Sequence, residues 1–509
     1  MKSRSQIFLL AAVAVAFVPI LLLRDFTPSN ELRYLSIADE AISQGHIFAF
    51  TNHGVPYADK PPLYLWLVML AKAVCGHHAM WLLGLFSLLP ALAVAWIMGR
   101  WTAQELPTHG ADAQLMLLTS GLFAGLAFTL RMDMLMTLWI VLALKTVYDM
   151  ATDGPTARRQ WCLGAFTFLA LFTKGPLGVL IPLVGSAVWL LYERRLREYF
   201  RLWGWRAWAA LLGGSAVWFL CVWIEGGSAY LDNLLFHQTV DRAVDAFHHK
   251  RPLWYYCTTY WYSLAPWSLL MAAVAVVAAY RRSLLTTPLQ RMLWAVAMST
   301  FVMLSAISSK LAVYLLPAIP FFVYLCAIKL HGYASTLWAR IALGVPAVAL
   351  LMAPAALVFG GDAVAPYSTP WTWAAAIVLS LASFAALALM FGRDRLFAAI
   401  RCMAVGVLGA LFCGGMAMPE LNPVMGYGAV SAKVVAERPP HVYVWALHRP
   451  ENMDVYLGQP VDIIDSPAAI DVPGVLVLPT DSLPALPFSP DVRGTAGPYS
   501  IVKISHKQL

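Results

Sequence analysis

The chain alternates long apolar runs with short polar connections. The first run extends from about Ile7 to Leu23 and is closed by Arg24-Asp25. Runs near the length that crosses about 30 Å of hydrocarbon then recur as far as residue 417. They predict about thirteen membrane-spanning helices, at roughly 6–24, 79–99, 114–130, 134–150, 161–173, 176–192, 207–224, 257–280, 291–308, 311–328, 341–360, 371–391 and 401–417. Lys2 and Arg4 precede the first run and no small-residue cleavage site follows it, so it reads as an uncleaved helix with a cytoplasmic N-terminus. Residues 62–76 are apolar but short and open on two prolines, the pattern of an interfacial or re-entrant helix. Beyond 418 the share of Pro, Asp, Gly and Ser rises, and β-like runs appear at 441–447, 474–478 and 499–505. The pattern predicts a polytopic all-α membrane protein with a small C-terminal α/β extracytoplasmic domain. Residues 1–417 form its transmembrane part, with a first external loop over 25–78, and 418–509 form the outer domain.

Composition supports this class. Of 509 residues, 60% are hydrophobic and only 12% charged, against about 25% charged in soluble domains. A soluble enzyme or a disordered chain is excluded. Seven cysteines, an odd and sparse set, exclude a disulfide scaffold; as small buried apolar residues they need no further role. Basic residues mark alternate connections: Arg158-Arg159; Arg194, Arg195, Arg197, Arg201 and Arg206; Arg281-Arg282 with Arg291; Lys329 and Arg340; Arg393, Arg395 and Arg401. The 361–370 loop has neither Lys nor Arg. This is the positive-inside alternation, and counting 62–76 as a span would invert it. The net charge of +8 thus reflects topology rather than nucleic-acid binding.

Other charges lie where that rule disfavours them. Arg24, Arg33, Lys60, Arg131, Lys174, Arg242, Lys250, Arg251 and Lys310 fall on the outer side, accompanied by Asp25, Glu31, Asp39, Glu40, Asp59, Asp133, Glu225, Asp241 and Asp245. Any one cation could simply snorkel to the interface. Gathered from separate loops, they form a site suited to a lipid phosphate or pyrophosphate, since Arg offers a bidentate fork and Lys a compact charge. Acids beside them could hold a divalent cation or act as a general base. Thr27 or Ser29 can cap a helix starting near Asn30, with Glu31 and Tyr34 on one face. The two prolines after Lys60 bar it from a helix. The pairs His77-His78 and His248-His249 lack metal-ligand spacing. Trp203, Trp205 and Trp208 read as an interfacial belt, and Trp254 to Tyr256 as a belt or a sugar-stacking platform. There is no phosphate loop or dinucleotide fingerprint, so a nucleotide-sugar donor is not expected. Charges gathered at one face, without related halves, distinguish the chain from a transporter.

Several stretches, in order, resemble one family. They are Asn30-Glu-Leu-Arg-Tyr34, Tyr57-Ala-Asp-Lys-Pro-Pro-Leu63, Leu130-Arg-Met-Asp-Met-Leu-Met-Thr137, Phe172-Thr-Lys-Gly-Pro-Leu-Gly178, His248-His-Lys-Arg-Pro-Leu-Trp-Tyr-Tyr256 with Ala265-Pro-Trp267, and Ser309-Lys-Leu-Ala-Val-Tyr-Leu-Leu-Pro317. The pattern is similar to that of membrane glycosyltransferases of the aminoarabinose-transferase (ArnT-type) and protein O-mannosyltransferase superfamily, fold type GT-C. It covers about residues 5–330. Asn30 stands where the family has the first of two acids, and Ala312 where it often has proline.

The resemblance implies a bacterial inner-membrane enzyme with its site and C-terminal domain in the periplasm. A sugar on undecaprenyl phosphate moves, with inversion, to an envelope acceptor. Lipid A is the first choice, and protein or polysaccharide the alternative. Lys60, Arg242 and Tyr314 would hold the lipid phosphate, with Lys174, Lys310, Lys250, Arg251, Arg33, Tyr34 and Tyr57 around the substrates. Glu31, Asp133 and the position of Asn30 would carry the catalytic role, and Glu31 with Asp133 any divalent cation. The partners expected are the polyprenyl-phosphate sugar donor, lipid A or another envelope acceptor and membrane lipids, with no nucleic acid; the chain is expected to be a monomer.

Overall fold

The computed structural model describes residues 3–235, 251–281, 285–392 and 395–505. Among them, nine helices are long and apolar enough to cross a membrane. They are α1 (Ser3–Leu23), α4 (Met80–Trp101), α7 (Asp133–Asp153), α11 (Trp205–Asp232), α14 (Pro288–Ala306), α15 (Ile319–Leu330, entered by the 3₁₀ turn Ala312–Ala318), α16 (Leu337–Leu351, continued by α17, Ala353–Phe359), α18 (Pro370–Met390) and α19 (Leu396–Met416). Each corresponds to one of the apolar runs. Threonines at 156, 287 and 369 accept from the N–H three residues on and fix the start of their helices.

The other four apolar runs take different forms. Residues 161–173 fall in α8 (Ala157–Lys174), which carries Arg158, Arg159 and Lys174, and 176–192 form the 16-residue α9 (Leu177–Tyr192), followed by the single turn α10 (Tyr199–Leu202). Residues 114–130 are split into α5 (Gly110–Leu118) and α6 (Gly121–Leu126). Residues 257–280 are split into α12 (Tyr255–Ser263) and α13 (Ser268–Tyr280), bent by 117°. The two breaks meet. Gly121 N–H donates to Ala265 O at 2.8 Å, and Trp267 Nε1 donates to Thr119 Oγ1 at 3.1 Å. Irregular backbone is tolerated at membrane depth only where the protein satisfies it, as here. The approach requires glycine, for a Cβ on Gly121 would lie 2.6 Å from the Tyr262 carbonyl oxygen.

Burial orders the bundle. The span Ala312–Tyr333 is 83% buried, whereas Leu337–Phe359 is 17% and Pro370–Met390 22% buried. The first is therefore central and the others face lipid. Between α1 and α4 lie α2 (Glu31–Gln44), a hairpin of β1 (Thr51–Asn52) and β2 (Val55–Pro56), and α3 (Leu63–Cys75), too short to span.

After α19 come α20 (Met418–Met425), α21 (Gly428–Glu437) and a sheet in the order β4-β3-β5-β7-β6. Its strands are β3 (Val442–Trp445), β4 (Asp462–Ile464), β5 (Gly474–Pro479), β6 (Asp491–Ala496) and β7 (Tyr499–Ile504), parallel across β4, β3 and β5 and antiparallel beyond. Alternation is clear: Val442, Val444, Val475, Val477 and Ile501 join a core with Leu32, Leu35, Tyr64 and Leu65 of α2 and α3. Tyr443, Leu476, Leu478, Val502 and Ile504 form a second cluster on the other face.

Polar contacts stitch this region to the bundle. Asn422 Nδ2 donates to Leu23 O at 2.8 Å and its Oδ1 accepts Asp25 N–H at 3.0 Å. The Asp25 carboxylate accepts Gly428 N–H at 2.9 Å and the Tyr456 hydroxyl. His53 Nε2 lies 3.1 Å from Asp454 Oδ2, which also accepts from Ser36 Oγ at 2.9 Å.

Candidate functional site

The site is assembled at chain breaks between helices. Pro61 and Pro62 end the loop that carries Lys60 and start α3. Asp133 opens α7, Lys174 closes α8, and Tyr314 sits in the 3₁₀ turn before α15. Lys60, Lys174 and Tyr314 line one cavity of about 250 Å³, together with Asp59 and Ser309. Its remaining wall is largely apolar, including Leu171, Trp218, Phe219, Leu234 and Leu304. A cationic head and a greasy wall in one cavity suit an amphiphilic anion.

Within it, Lys60 Nζ is 2.8 Å from Asp59 Oδ2, which also accepts the Tyr57 hydroxyl at 3.3 Å. Lys174 pairs with Asp133 and lies 4.8 Å from the Tyr314 ring centroid. Arg131 Nε reaches the other oxygen of Asp133 at 3.2 Å. Asp133 is 1% exposed and stands behind Lys174. Tyr34 sits among Arg131, Asp133, Asp59 and Arg33; burial pushes its hydroxyl up to about 12, against the pull of Arg131. Burial likewise raises Tyr57, reinforced by Asp59.

Other expected residues are placed differently. Glu31 is fully buried and forms a two-pronged ion pair with Arg24, both contacts at 2.7 Å. It also accepts Leu130 N–H at 2.7 Å, Thr27 N–H at 2.7 Å and Thr27 Oγ1 at 3.0 Å. Thr27 thus donates its hydroxyl to Glu31 instead of accepting at the start of α2. Asn30 is the N-cap of α2 but makes no side-chain capping bond. Arg33 donates to Ser29 O at 3.0 Å. Lys310 is 3% exposed and turned to backbone, donating to Ile307 O at 2.5 Å and Arg251 O at 3.1 Å. The Arg251 side chain is exposed. Arg242 and Lys250 lie outside the described residues.

Glu31 and Asp133 do not fit a divalent cation as a pair. The oxygens of Glu31 face Arg24 and N–H or O–H donors, and those of Asp133 face Arg131 and Lys174. Among the described residues, no group of three His, Cys, Asp or Glu side chains converges as metal ligands. Sequence reasoning named Asp59 only as one of the external acids; its adjacency to Lys60 was the available signal. The aromatic wall from α11 carried no signal, because Trp218 and Phe219 are ordinary residues of an apolar span.

No protein-family model matches the chain. Curated relatives do. Over 303 residues it is 28% identical to an undecaprenyl phosphate-alpha-4-amino-4-deoxy-L-arabinose arabinosyl transferase 1 of Pseudomonas fluorescens, covering 57% of this chain and 51% of that one. Over 331 residues it is 26% identical to the corresponding transferase of Shewanella sediminis, covering 62% and 58%. The match thus spans between half and three fifths of these relatives' length. Among solved structures, ArnT from Cupriavidus metallidurans bound to undecaprenyl phosphate superposes over 100% of this chain and 99% of its own, with a TM-score of 0.78 and 17% identity. Its apo form gives 0.77 at 19% identity. The chain is a multi-pass membrane protein with the ArnT fold, and the resemblance read from its motifs holds in both sequence and architecture.

Proposed function

We propose that this chain is a membrane glycosyltransferase that moves a sugar from undecaprenyl phosphate to an envelope acceptor, with lipid A as the first choice, at the periplasmic face of the bacterial inner membrane. The observation that carries this reading is the cavity in which Lys60 and Lys174 meet an apolar wall. The relatives named above as undecaprenyl phosphate transferases support the donor.

The polyprenyl chain lies along the apolar wall and its phosphate faces Lys60, Lys174 and Tyr314. The bond between the anomeric carbon and the phosphate oxygen breaks, and the leaving undecaprenyl phosphate keeps the electron pair. The lysines stabilise its growing charge. The acceptor oxygen attacks from the opposite side, which inverts the anomeric carbon. If the acceptor is a hydroxyl, its proton goes to a carboxylate. Asp59 lines the cavity, whereas Glu31 and Asp133 do not, so it is the better placed for this. If the acceptor is a phosphate of lipid A, no base is needed. No step is assigned to a divalent cation.

The test is mass spectrometry of envelope lipids from a strain lacking this chain, beside the same strain carrying a Lys60→Ala copy. Loss of one sugar-bearing lipid A species in both supports the proposal. Unchanged lipid A with an altered glycoprotein or polysaccharide would move the acceptor. No change in any envelope glycan would overturn the reading.

A further inference from the structure

The first part of the loop that carries Lys60 is fastened to the end of α11, while Glu40 of α2 accepts the N–H groups of His53 and Gly54 at its tip. Glu225 Oε1, near the end of α11, accepts the N–H groups of Ile47, Phe48 and Ala49 at 2.8, 3.0 and 2.9 Å. Five residues on, the Tyr230 hydroxyl accepts Phe50 N–H at 3.1 Å and donates to Tyr57 O at 2.7 Å. Tyr57 N–H closes the hairpin on Phe50 O at 2.8 Å. The four consecutive amides from Ile47 to Phe50 therefore all end on α11. The helix is shaped for this contact. A Cβ on Gly226 would come within 2.7 Å of the Ala49 Cβ, and Gly227 takes φ +75°, which kinks α11 between the two anchoring side chains.

Neither Glu225 nor Tyr230 lines the cavity, but what they hold does. Lys60 follows Tyr57 by three residues, and Pro61-Pro62 stiffen its other side. The turn that directly follows α11 supplies Leu234 and Leu235 to the cavity wall. One helix end thus sets both a charged and an apolar part of the site.

We propose that Glu225 and Tyr230 are positioning residues, which lock the 47–57 segment to α11 and so present Lys60 to the phosphate of the lipid. This inference rests on the reading of Lys60 as a phosphate ligand. Three amides converging on one carboxylate oxygen form charge-assisted bonds, roughly twice as strong as neutral ones. An amide side chain keeps an acceptor oxygen at the same place, whereas alanine leaves the N–H groups without a protein partner.

The experiment compares the full chain in lipid nanodiscs with Glu225→Gln, Glu225→Ala and Tyr230→Phe variants. Two quantities are read: hydrogen exchange across residues 47–57 and affinity for undecaprenyl phosphate. In Glu225→Ala, exchange at 47–49 rises and lipid affinity falls, each by about tenfold or more, as expected for lost bonds to a charged group. Glu225→Gln recovers most of both. Tyr230→Phe keeps the ring, loosens Phe50 and Tyr57, and lowers affinity by a smaller factor. If Glu225→Ala does not fold, the Gln and Phe variants carry the comparison. Raised exchange with unchanged affinity overturns the inference alone. A wild-type chain that binds no undecaprenyl phosphate overturns the ligand reading, and this inference with it, while the exchange data still report the anchor.

Discussion

Glu31 and Lys60 show how differently two charged residues between α1 and α4 are used. Glu31 answers a buried guanidinium and three N–H or O–H donors. Removing its charge strands Arg24, and breaking a buried pair costs about 3–5 kcal/mol. Glu31→Gln should therefore lower the unfolding temperature markedly in detergent; a stable but inactive protein would instead mark Glu31 as a catalytic group. Lys60 faces the cavity and its ion pair with Asp59 is partly exposed, so Lys60→Ala should lower the unfolding temperature much less than Glu31→Gln and reduce sugar transfer by about 10²–10³-fold, the effect of losing one donor to developing charge. Single-turnover assays with the lipid-linked sugar would read this. Lys60 and Lys174 stood out in the sequence as cations where the positive-inside rule disfavours them, and Tyr314 only through the likeness of Ser309–Pro317 to a family motif. The pairing of Arg24 with Glu31 was not, since seven residues and a helix start separate them and only the folded turn brings them together. Asp133 and Lys174, on different helices, carried no mutual signal either.

At the scale of elements, length and hydropathy found the helices because the bilayer demands a fixed thickness of apolar chain. They could not find the breaks in 114–130 and 257–280, since hydropathy records composition and not the direction of the backbone. The short α3 was legible from its two leading prolines and its length. The contact between α21 and the end of α1 was invisible, as it joins residues some 400 positions apart. It is tight: a Cβ on Gly428 would lie 2.5 Å from Asp25 Oδ2. Gly428→Ala should displace that carboxylate, destabilise the junction by about 1–3 kcal/mol as overpacking does, and speed proteolytic release of the C-terminal segment. Cleavage at the wild-type rate would show that the junction yields without cost.

For the whole molecule, the C-terminal region is joined to the first loop through an ionisable contact. The hydrogen bond to Asp454 raises the pKa of His53 above its ordinary 6.5, against partial burial. A group with a raised folded pKa stabilises below its unfolded pKa and loses that contribution as pH climbs through the folded value. Hydrogen-exchange protection at 51–56 and 451–457, corrected for the intrinsic pH dependence of amide exchange, should therefore be greatest on the mildly acidic side and fall as pH rises through that value. His53→Gln should flatten the dependence; a profile unchanged by that substitution would refute it.

The interlocked breaks at Gly121 and Ala265 bear on how the chain is made. Synthesis delivers residues 110–126 well before 255–280, yet Gly121 N–H finds its acceptor only in the later segment. An unsatisfied amide in hydrocarbon costs several kcal/mol. The early half-helices are therefore poor candidates for release into lipid one at a time. The two breaks should therefore close together once residues 255–280 are made, with the early half-helices held until then in a wetter or protein-lined setting.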